Sequence, residues 1–285
     1  MESVKLSILI PTYNFKSGLN KILDCIESIE EDFHDYIEII ISDDSEKSII
    51  PKRRNKSLKK SFKNYIYKHN FENHGAVKNW NNLISIAKGD YVWLLHHDEF
   101  WNKEKNFIEY IFEVISIKNP NILILPITKS KNRRFHNYNF QISNKHITFN
   151  YLLRFFINNP KLLLKTNIIG PPSSLIYKYN EINYENNLKY LVDVEFYIRL
   201  FKFYNSQNIV FCNKKYSLIS SQNNQNSITR ILRNEIRRLK NKEKNFIFRK
   251  HKINFNIYEN FLSFCSLFIL KVNLLITTKI NLEKL

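Results

Sequence analysis

Asp98 and Glu99 follow directly on an apolar run, Tyr91-Val92-Trp93-Leu94-Leu95, and on two histidines, His96 and His97. Adjacent carboxylates offer oxygen to a hard divalent cation. Imidazole nitrogen beside them tilts such a site toward Mn over Mg. Gly89-Asp90 is a turn signal, and the aromatics and Val92 after it predict a strand buried on both faces. Polar groups at the carboxyl end of such a strand sit where open α/β sheets bind ligands. Alone, the pattern fits a polar exit from a strand equally well, with the histidines packing in the loop. The chemistry therefore depends on what else reaches that edge.

Three more stretches do. Leu6 to Ile10 reads as a buried strand ended by the turn residues Pro11-Thr12-Tyr13-Asn14. Tyr36 to Ile41 reads as a second strand ending in Ser42-Asp43-Asp44-Ser45, and Phe62 to Tyr67 as a weaker third. Helical spacing follows the first strand (Leu19, Ile22, Leu23, Ile26, Ile29) and precedes the run at Tyr91 (Val77, Trp80, Leu83, Ile84, Ala87). Strand, helix, strand, loop, strand, helix, strand predicts βαβ units and a mainly parallel sheet. Its strand ends would gather Tyr13, Asp43, Asp44 and Asp98. A Tyr or Thr there can meet a base, and an acid can accept the base's N–H. No GxGxxG or GxxxxGK[ST] occurs, which excludes the motif-bearing dinucleotide and P-loop sites.

Composition narrows the class. The chain has 285 residues, 44% hydrophobic and 25% charged, with four glycines and seven prolines, which is globular and linker-poor. Lys and Arg total 44 against 26 acids, a net charge of +18, so anionic partners are favoured. The basic residues cluster at Lys52–Lys63, Lys129–Arg134 and Arg230–Lys252. No zinc-finger spacing, RNP-like motif or helix-turn-helix accompanies them, which disfavours nucleic acid. Cys25, Cys212 and Cys265 are distant and odd in number, as buried thiols in a reducing compartment are.

Pro11-Thr12-Tyr13-Asn14 resembles the opening motif of family 2 glycosyltransferases, and Ile40-Ile41-Ser42-Asp43-Asp44-Ser45 their second-strand motif. Asn73-His74-Gly75 with Lys78-Asn79 resembles their Asn-x-Gly and basic-Asn segment, and Gly89-Asp90-Tyr91 through Asp98-Glu99 the strand carrying their Asp-x-Asp motif. The order of all four over residues 5–101 makes the resemblance specific. It implies a GT-A fold: a Rossmann-like, mainly parallel α/β sheet flanked by helices. It implies a nucleotide-sugar donor, usually a UDP-sugar, a divalent Mg or Mn, and inversion at the sugar carbon. Pro11, Thr12, Tyr13, Asp43, Asp44, Lys78 and Asn79 would then surround the nucleotide, and Asp98 would hold the metal. The sequence departs from the family at His96 and His97, where acids are common, and at Glu99, where Asp is.

Farther along, Asn121 to Ile127 is a strand candidate, Lys129 to Lys145 a basic loop and Tyr151 to Phe156 a short helix. Gly170-Pro171-Pro172-Ser173-Ser174 before Leu175-Ile176-Tyr177 resembles the family's Gly-x-Pro-Ser turn near the acceptor. Tyr190 to Leu200 resembles the acidic segment opening a helix, where an Asp is the catalytic base. Asp193 fits that position best, with Glu195 as the competing acid and Arg199 where a basic residue is common. Asp193 would also suit a helix N-terminus on dipole grounds alone, and Glu195 a solvated helix face. Residues 207–221 add two short strands, and Arg230 to Lys252 reads as a basic helix. Phe261 to Leu270 is apolar but interrupted by Lys271 and Asn273, too short to span a bilayer.

The expectation is a GT-A catalytic domain over 1–225, with a nucleotide half at 1–105 and an acceptor half at 106–225, followed by a C-terminal helical extension over 226–285. By resemblance its acceptor is a glycan or lipid-linked glycan, in bacterial surface polysaccharide synthesis such as lipopolysaccharide, O-antigen or capsule. The expected location is cytoplasmic, with peripheral contact at the inner face of the plasma membrane through the C-terminus; a homodimer is the competing use of that segment. The competing functions are a degenerate GT-A domain that only binds nucleotide or glycan, and a basic membrane- or nucleic-acid-binding module.

Overall fold

The structure is a computed structural model that describes residues 4–103, 106–131, 134–137, 147–221 and 235–255. The first two strands, β1 (Leu6–Thr12) and β2 (Ile37–Asp43), are buried along their whole length. Strands buried on both faces need helices above and below, so parallel pairing with helical crossovers follows. α1 (Lys16–Ile26) joins these two, and α2 (Lys52–Ser61) joins β2 to β3 (Asn64–His69). Next come α3 (Ala76–Ile86), β4 (Tyr91–Leu94), β5 (Glu99–Trp101), α4 (Phe107–Lys118) and β6 (Ile122–Ile124). β7 (Ile127–Lys131), β8 (Arg134–Asn137), α5 (Ile147–Asn158) and β9 (Leu175–Lys178) follow. The described chain continues with α6 (Val192–Phe203), β10 (Ile209–Phe211), β11 (Leu218–Ser221) and α7 (Ile236–His251).

The main sheet has the order β10-β6-β9-β4-β1-β2-β3. It is parallel except at β9, which runs antiparallel between β4 and β6. Strand period sends Leu6, Ile8 and Ile10 to the face covered by α1 and α4, and Leu9, Ile40 and Val92 to the face covered by α3 and α6. A second sheet, β5-β11-β7-β8, begins immediately past His96–Asp98.

Three local readings change. The basic stretch at Lys52 forms the helix α2 where a loop was expected. A parallel β2–β3 pair requires a crossover, but only Leu58 of α2 is buried, so no apolar stripe marks it. Arg54 reaches α1 instead, pairing with Asp24 and Glu27 at 2.9 and 2.8 Å. The basic stretch expected as a loop from Lys129 contributes strand backbone to β7 and β8. The strand expected from Asn121 to Ile127 is broken at Leu125-Pro126, so β6 and β7 belong to different sheets. The expected apolar run at Phe261 to Leu270 lies outside the described residues.

Candidate active site

Sequential strands β1, β2 and β3 lie side by side, but β4 returns to the far side of β1. The direction of strand order therefore reverses between β1 and β4, and their carboxyl ends diverge to leave a crevice. That crevice is a cleft of about 630 Å³, lined from β1 by Pro11, Thr12 and Tyr13 and past β4 by His96, His97, Asp98 and Glu99.

The β1 and β4 exits are tied together by His97. Its Nδ1 accepts the Tyr13 N–H at 3.3 Å, and its ring also hydrogen-bonds to the Pro11 carbonyl. Burial holds this imidazole below its ordinary pKa. Helix α1 passes so close that a Cβ on Gly18 would lie 2.2 Å from the His97 carbonyl oxygen and 2.2 Å from the Phe15 ring. Gly18→Ala is therefore expected to push the His97 peptide outward and destabilise the fold by about 1–3 kcal/mol. Thermal unfolding of the variant checks this; an unchanged Tm would mean that α1 yields without cost.

His96 is placed differently. Its N–H donates to Ser173 Oγ at 2.9 Å, and its ring packs on Trp80 with centroids 4.8 Å apart. Its Nε2 is buried with no hydrogen-bond partner. Burial pushes the imidazole down to about 4, so the ring is neutral and one of its two nitrogens carries a lone pair. One ligand atom each from His96, Asp98 and Glu99 lies within 4.8 Å of the others. A buried neutral imidazole beside two carboxylates is a donor set that fits a divalent cation.

On the other side, β2 ends in two acids with different environments. Asp43 is wholly buried and accepts from Ser45 N and Ile49 N at 3.0 Å each and from the Tyr67 hydroxyl at 2.7 Å. It shapes the loop and lies behind the cleft wall. Asp44 lines the cleft, steadied by the Asn70 amide at 2.6 Å. Asn79 also lines it: its Nδ2 donates to the Ser42 carbonyl at 3.3 Å while its buried Oδ1 has no partner. Thr12 Oγ1 is likewise buried without a partner. Lys78, on the opposite side of α3, is exposed and outside the cleft.

The far wall comes from the second half of the chain. Asp193, in the first turn of α6, lines the cleft. Its Oδ2 accepts from Asn167 Nδ2 and its Oδ1 from the Val194 N–H, both at 2.8 Å. Burial nevertheless pushes the carboxyl up to about 6. Glu195 and Arg199 point away from the cleft: Glu195 is wholly buried and binds Arg199 at 2.6 Å, Lys250 at 3.0 Å and His251 at 2.9 Å. Three cleft residues carried no sequence signal as site residues. Trp80 looked like core at helical spacing, Asn167 was an ordinary polar residue, and Lys240 sat in the basic run now seen as α7.

The sequence matches Glycosyl transferase family 2 over residues 7–182, more than half of the chain. The chain belongs to this family. It is 36% identical over 107 residues to the abequosyltransferase RfbV of Salmonella typhimurium, covering 35% of this chain and 29% of that one. It is 29% identical over 110 residues to the amylovoran biosynthesis glycosyltransferase AmsB of Erwinia amylovora, covering 37% and 34%. The matched segment thus spans about a third of the length of these curated relatives. Among solved structures, S. aureus TarS residues 1–349 in complex with UDP-GlcNAc superposes with a TM-score of 0.59 at 17% identity, over 79% of this chain and 61% of that one. This likeness establishes the GT-A-type fold. No helix among the described residues is long and apolar enough to cross a membrane.

Proposed function

We propose that the protein is an inverting glycosyltransferase that moves a sugar from a nucleotide-sugar donor to a hydroxyl of a glycan or lipid-linked glycan acceptor, in cell-surface polysaccharide synthesis. The carrying observation is that Thr12, Asp44, Asn79, Asp98 and Asp193, from five separated stretches, line one cleft at the topological switch point. The likeness to an abequosyltransferase and to an amylovoran biosynthesis glycosyltransferase supports the polysaccharide context, and the UDP-GlcNAc complex of TarS supports a UDP-sugar donor. Residues 1–105 then form the nucleotide half, 106–225 the acceptor half and 226–285 a C-terminal extension. The proposed setting is the cytoplasmic side of the plasma membrane, with peripheral contact.

The nucleotide would meet Pro11, Thr12, Tyr13, Asp44 and Asn79. Unpartnered Thr12 Oγ1 and Asn79 Oδ1 supply a hydroxyl and an acceptor to it, in a buried setting where an unmade bond is costly. His96, Asp98 and Glu99 would hold Mg or Mn. That ion, when bound, neutralises charge developing on the leaving diphosphate. Asp193 takes the acceptor hydroxyl proton onto its carboxylate as that oxygen forms its bond to the anomeric carbon. The bond from that carbon to the diphosphate oxygen breaks on the opposite face. One protein base is enough, because the leaving group departs as an anion and needs no proton.

The test is a thermal-shift screen of UDP, GDP, CDP and ADP with Mg and Mn. A ligand that binds only the folded state stabilises it, by about 2.7 kcal/mol at a hundredfold excess over Kd. A uridine nucleotide with Mn is expected to give the largest shift, reduced in Asp44→Ala. No shift with any nucleotide would remove the donor site. Asp98→Asn is expected to lower turnover more than about tenfold, equivalent to 1.4 kcal/mol of barrier, and to leave Tm within a few degrees. Full turnover with unaltered Mn dependence in that variant would exclude Asp98 from the metal.

A further inference from the structure

Glu243 sits on α7, 50 residues beyond Asp193 in sequence, and only 3% of it is exposed. A buried carboxylate without a cationic partner needs several strong donors. Here the donors are backbone. Glu243 Oε1 accepts the Lys189 N–H at 2.7 Å, and Oε2 accepts those of Tyr190 at 3.1 Å and Leu191 at 2.7 Å. These three amides form the turn leading into α6, whose first residue is Val192 and whose second is Asp193. The N-cap residue, Leu191, makes no side-chain capping bond, and within the first turn Asp193 Oδ1 accepts the Val194 N–H. The N–H of the N-cap residue is therefore held from another helix. A single distant carboxylate takes that N–H and the two before it, and sets a negative charge at the positive end of the helix dipole. One turn earlier on the same helix, Lys240 lines the cleft.

We propose that Glu243 is a positioning residue for transfer: it clamps the 189–191 turn and so fixes where α6 presents Asp193 to the acceptor. This rests on the reading of Asp193 as the base. It makes α7 part of the working site, although the strongest sequence resemblance ends far upstream. Ion pairing supports the same seat, since Lys250 and His251 at the other end of α7 bind Glu195 of α6. The groups around Asp193 are Asn167, Tyr184, Tyr197 and Glu243, with Lys165, Lys189 and Lys240 along the same cleft wall. Burial is the main cause of Asp193's raised pKa, and the charge of Glu243 pushes it in the same direction.

The test uses Glu243→Gln in the full chain. Turnover is read as nucleoside diphosphate release from UDP-N-acetylglucosamine with Mn, or from whichever nucleotide sugar the screen selects. Glu243→Gln is expected to lower kcat at least tenfold, to leave nucleotide affinity within threefold, and to move the acid limb of the pH profile below that of the wild type. In an Asp193→Asn background the same change is expected to cost less than twofold, because a residue acting through Asp193 has nothing left to position. Equal losses in both backgrounds, or wild-type kcat with an unmoved limb, would overturn the proposal. Should Glu243→Gln fail to fold, Glu243→Asp keeps the charge but draws the carboxylate back by one methylene. It is expected to lose kcat and to speed amide hydrogen exchange at residues 189–191, and full kcat there would equally overturn the proposal. A fully active Asp193→Asn would instead sink the base assignment; an inactive Asp193→Asn beside a fully active Glu243→Gln would sink only the role of Glu243.

Discussion

Asp193→Asn is expected to lower transfer by roughly 10²–10⁴ while making the protein more stable at alkaline pH. Both effects come from one feature. Burial pushes the carboxyl up to about 6, against bonds from Asn167 and Val194 that favour its charge. Catalysis needs the ionised form, so wild-type kcat should fall with decreasing pH through about 6, and this limb should vanish in the variant. For stability the sign is opposite. The folded protein holds this proton more tightly than the unfolded chain does. The contribution is therefore fully present below the unfolded value of 3.8 and is lost as pH rises through about 6. Above that, the ionised carboxylate is a cost which asparagine does not carry. Partial exposure to the cleft limits the gain to something on the order of 1 kcal/mol at pH 8, with no gain near pH 4. Thermal unfolding at both pH values and rate profiles over the same range check the pair. A variant with near-wild-type turnover, or a wild-type profile flat through pH 6, would remove Asp193 from the role of base.

The donor half of the fold was legible because both its signals are local. Buried strands announce themselves as apolar runs, and in a parallel sheet the residues just past each run share an edge. Thr12, Tyr13, Asp44 and Asp98 do meet in one cleft for that reason. Asp43 shows the limit of the reasoning. It belongs to the same acidic pair as Asp44, but adjacent residues at a strand end face opposite ways, and only one of them reaches the cleft. Helix α2 was illegible because its crossover carries almost no buried surface. Asn167 and Glu243 were illegible for another reason. Each acts by hydrogen-bonding a backbone or side-chain group distant in sequence, and no periodicity encodes such contacts.

Asp193 and Glu195 could not be separated by composition either, since both are acids in the first turn of one helix. Geometry separates them. Residues two apart on an α-helix are rotated by about 200°, so when one faces the cleft the other faces away. Asp193 faces Asn167 and the cleft, and Glu195 faces α7. The one is held in a site that disfavours its charge, the other in a site that favours it. A helix end that offers both environments can serve chemistry on one side and anchoring on the other.

The anchoring side leads to the largest expected effect on stability. Glu195 has no exposed surface, and its two oxygens receive Arg199 Nε and Nη2 at 2.9 and 2.6 Å, Lys250 Nζ at 3.0 Å and His251 Nε2 at 2.9 Å. Glu195→Ala leaves the Arg199 and Lys250 charges without this shared partner, in partly buried positions. Breaking one side of a buried ion pair costs about 3–5 kcal/mol, a large share of the roughly 5–15 kcal/mol that stabilises a domain. Tm should fall by about 10 °C, with α7 loosening first. Glu195→Gln retains shape and some hydrogen bonds and should fall between the alanine variant and the wild type. The pH dependence has a definite sign. Burial raises the Glu195 pKa, but the bonds from Arg199, Lys250 and His251 outweigh it and hold the carboxyl below its usual value of 4.5. Its contribution is therefore complete above that value and is lost as pH falls through the depressed one. The stability gap between wild type and Glu195→Ala should stay wide from pH 6 to 8 and close in acid, below the usual carboxylate range. Chemical denaturation at a series of pH values measures it. A gap under about 1 kcal/mol at pH 7, the size of an exposed surface pair, would show that the network does not hold α7 on the catalytic core.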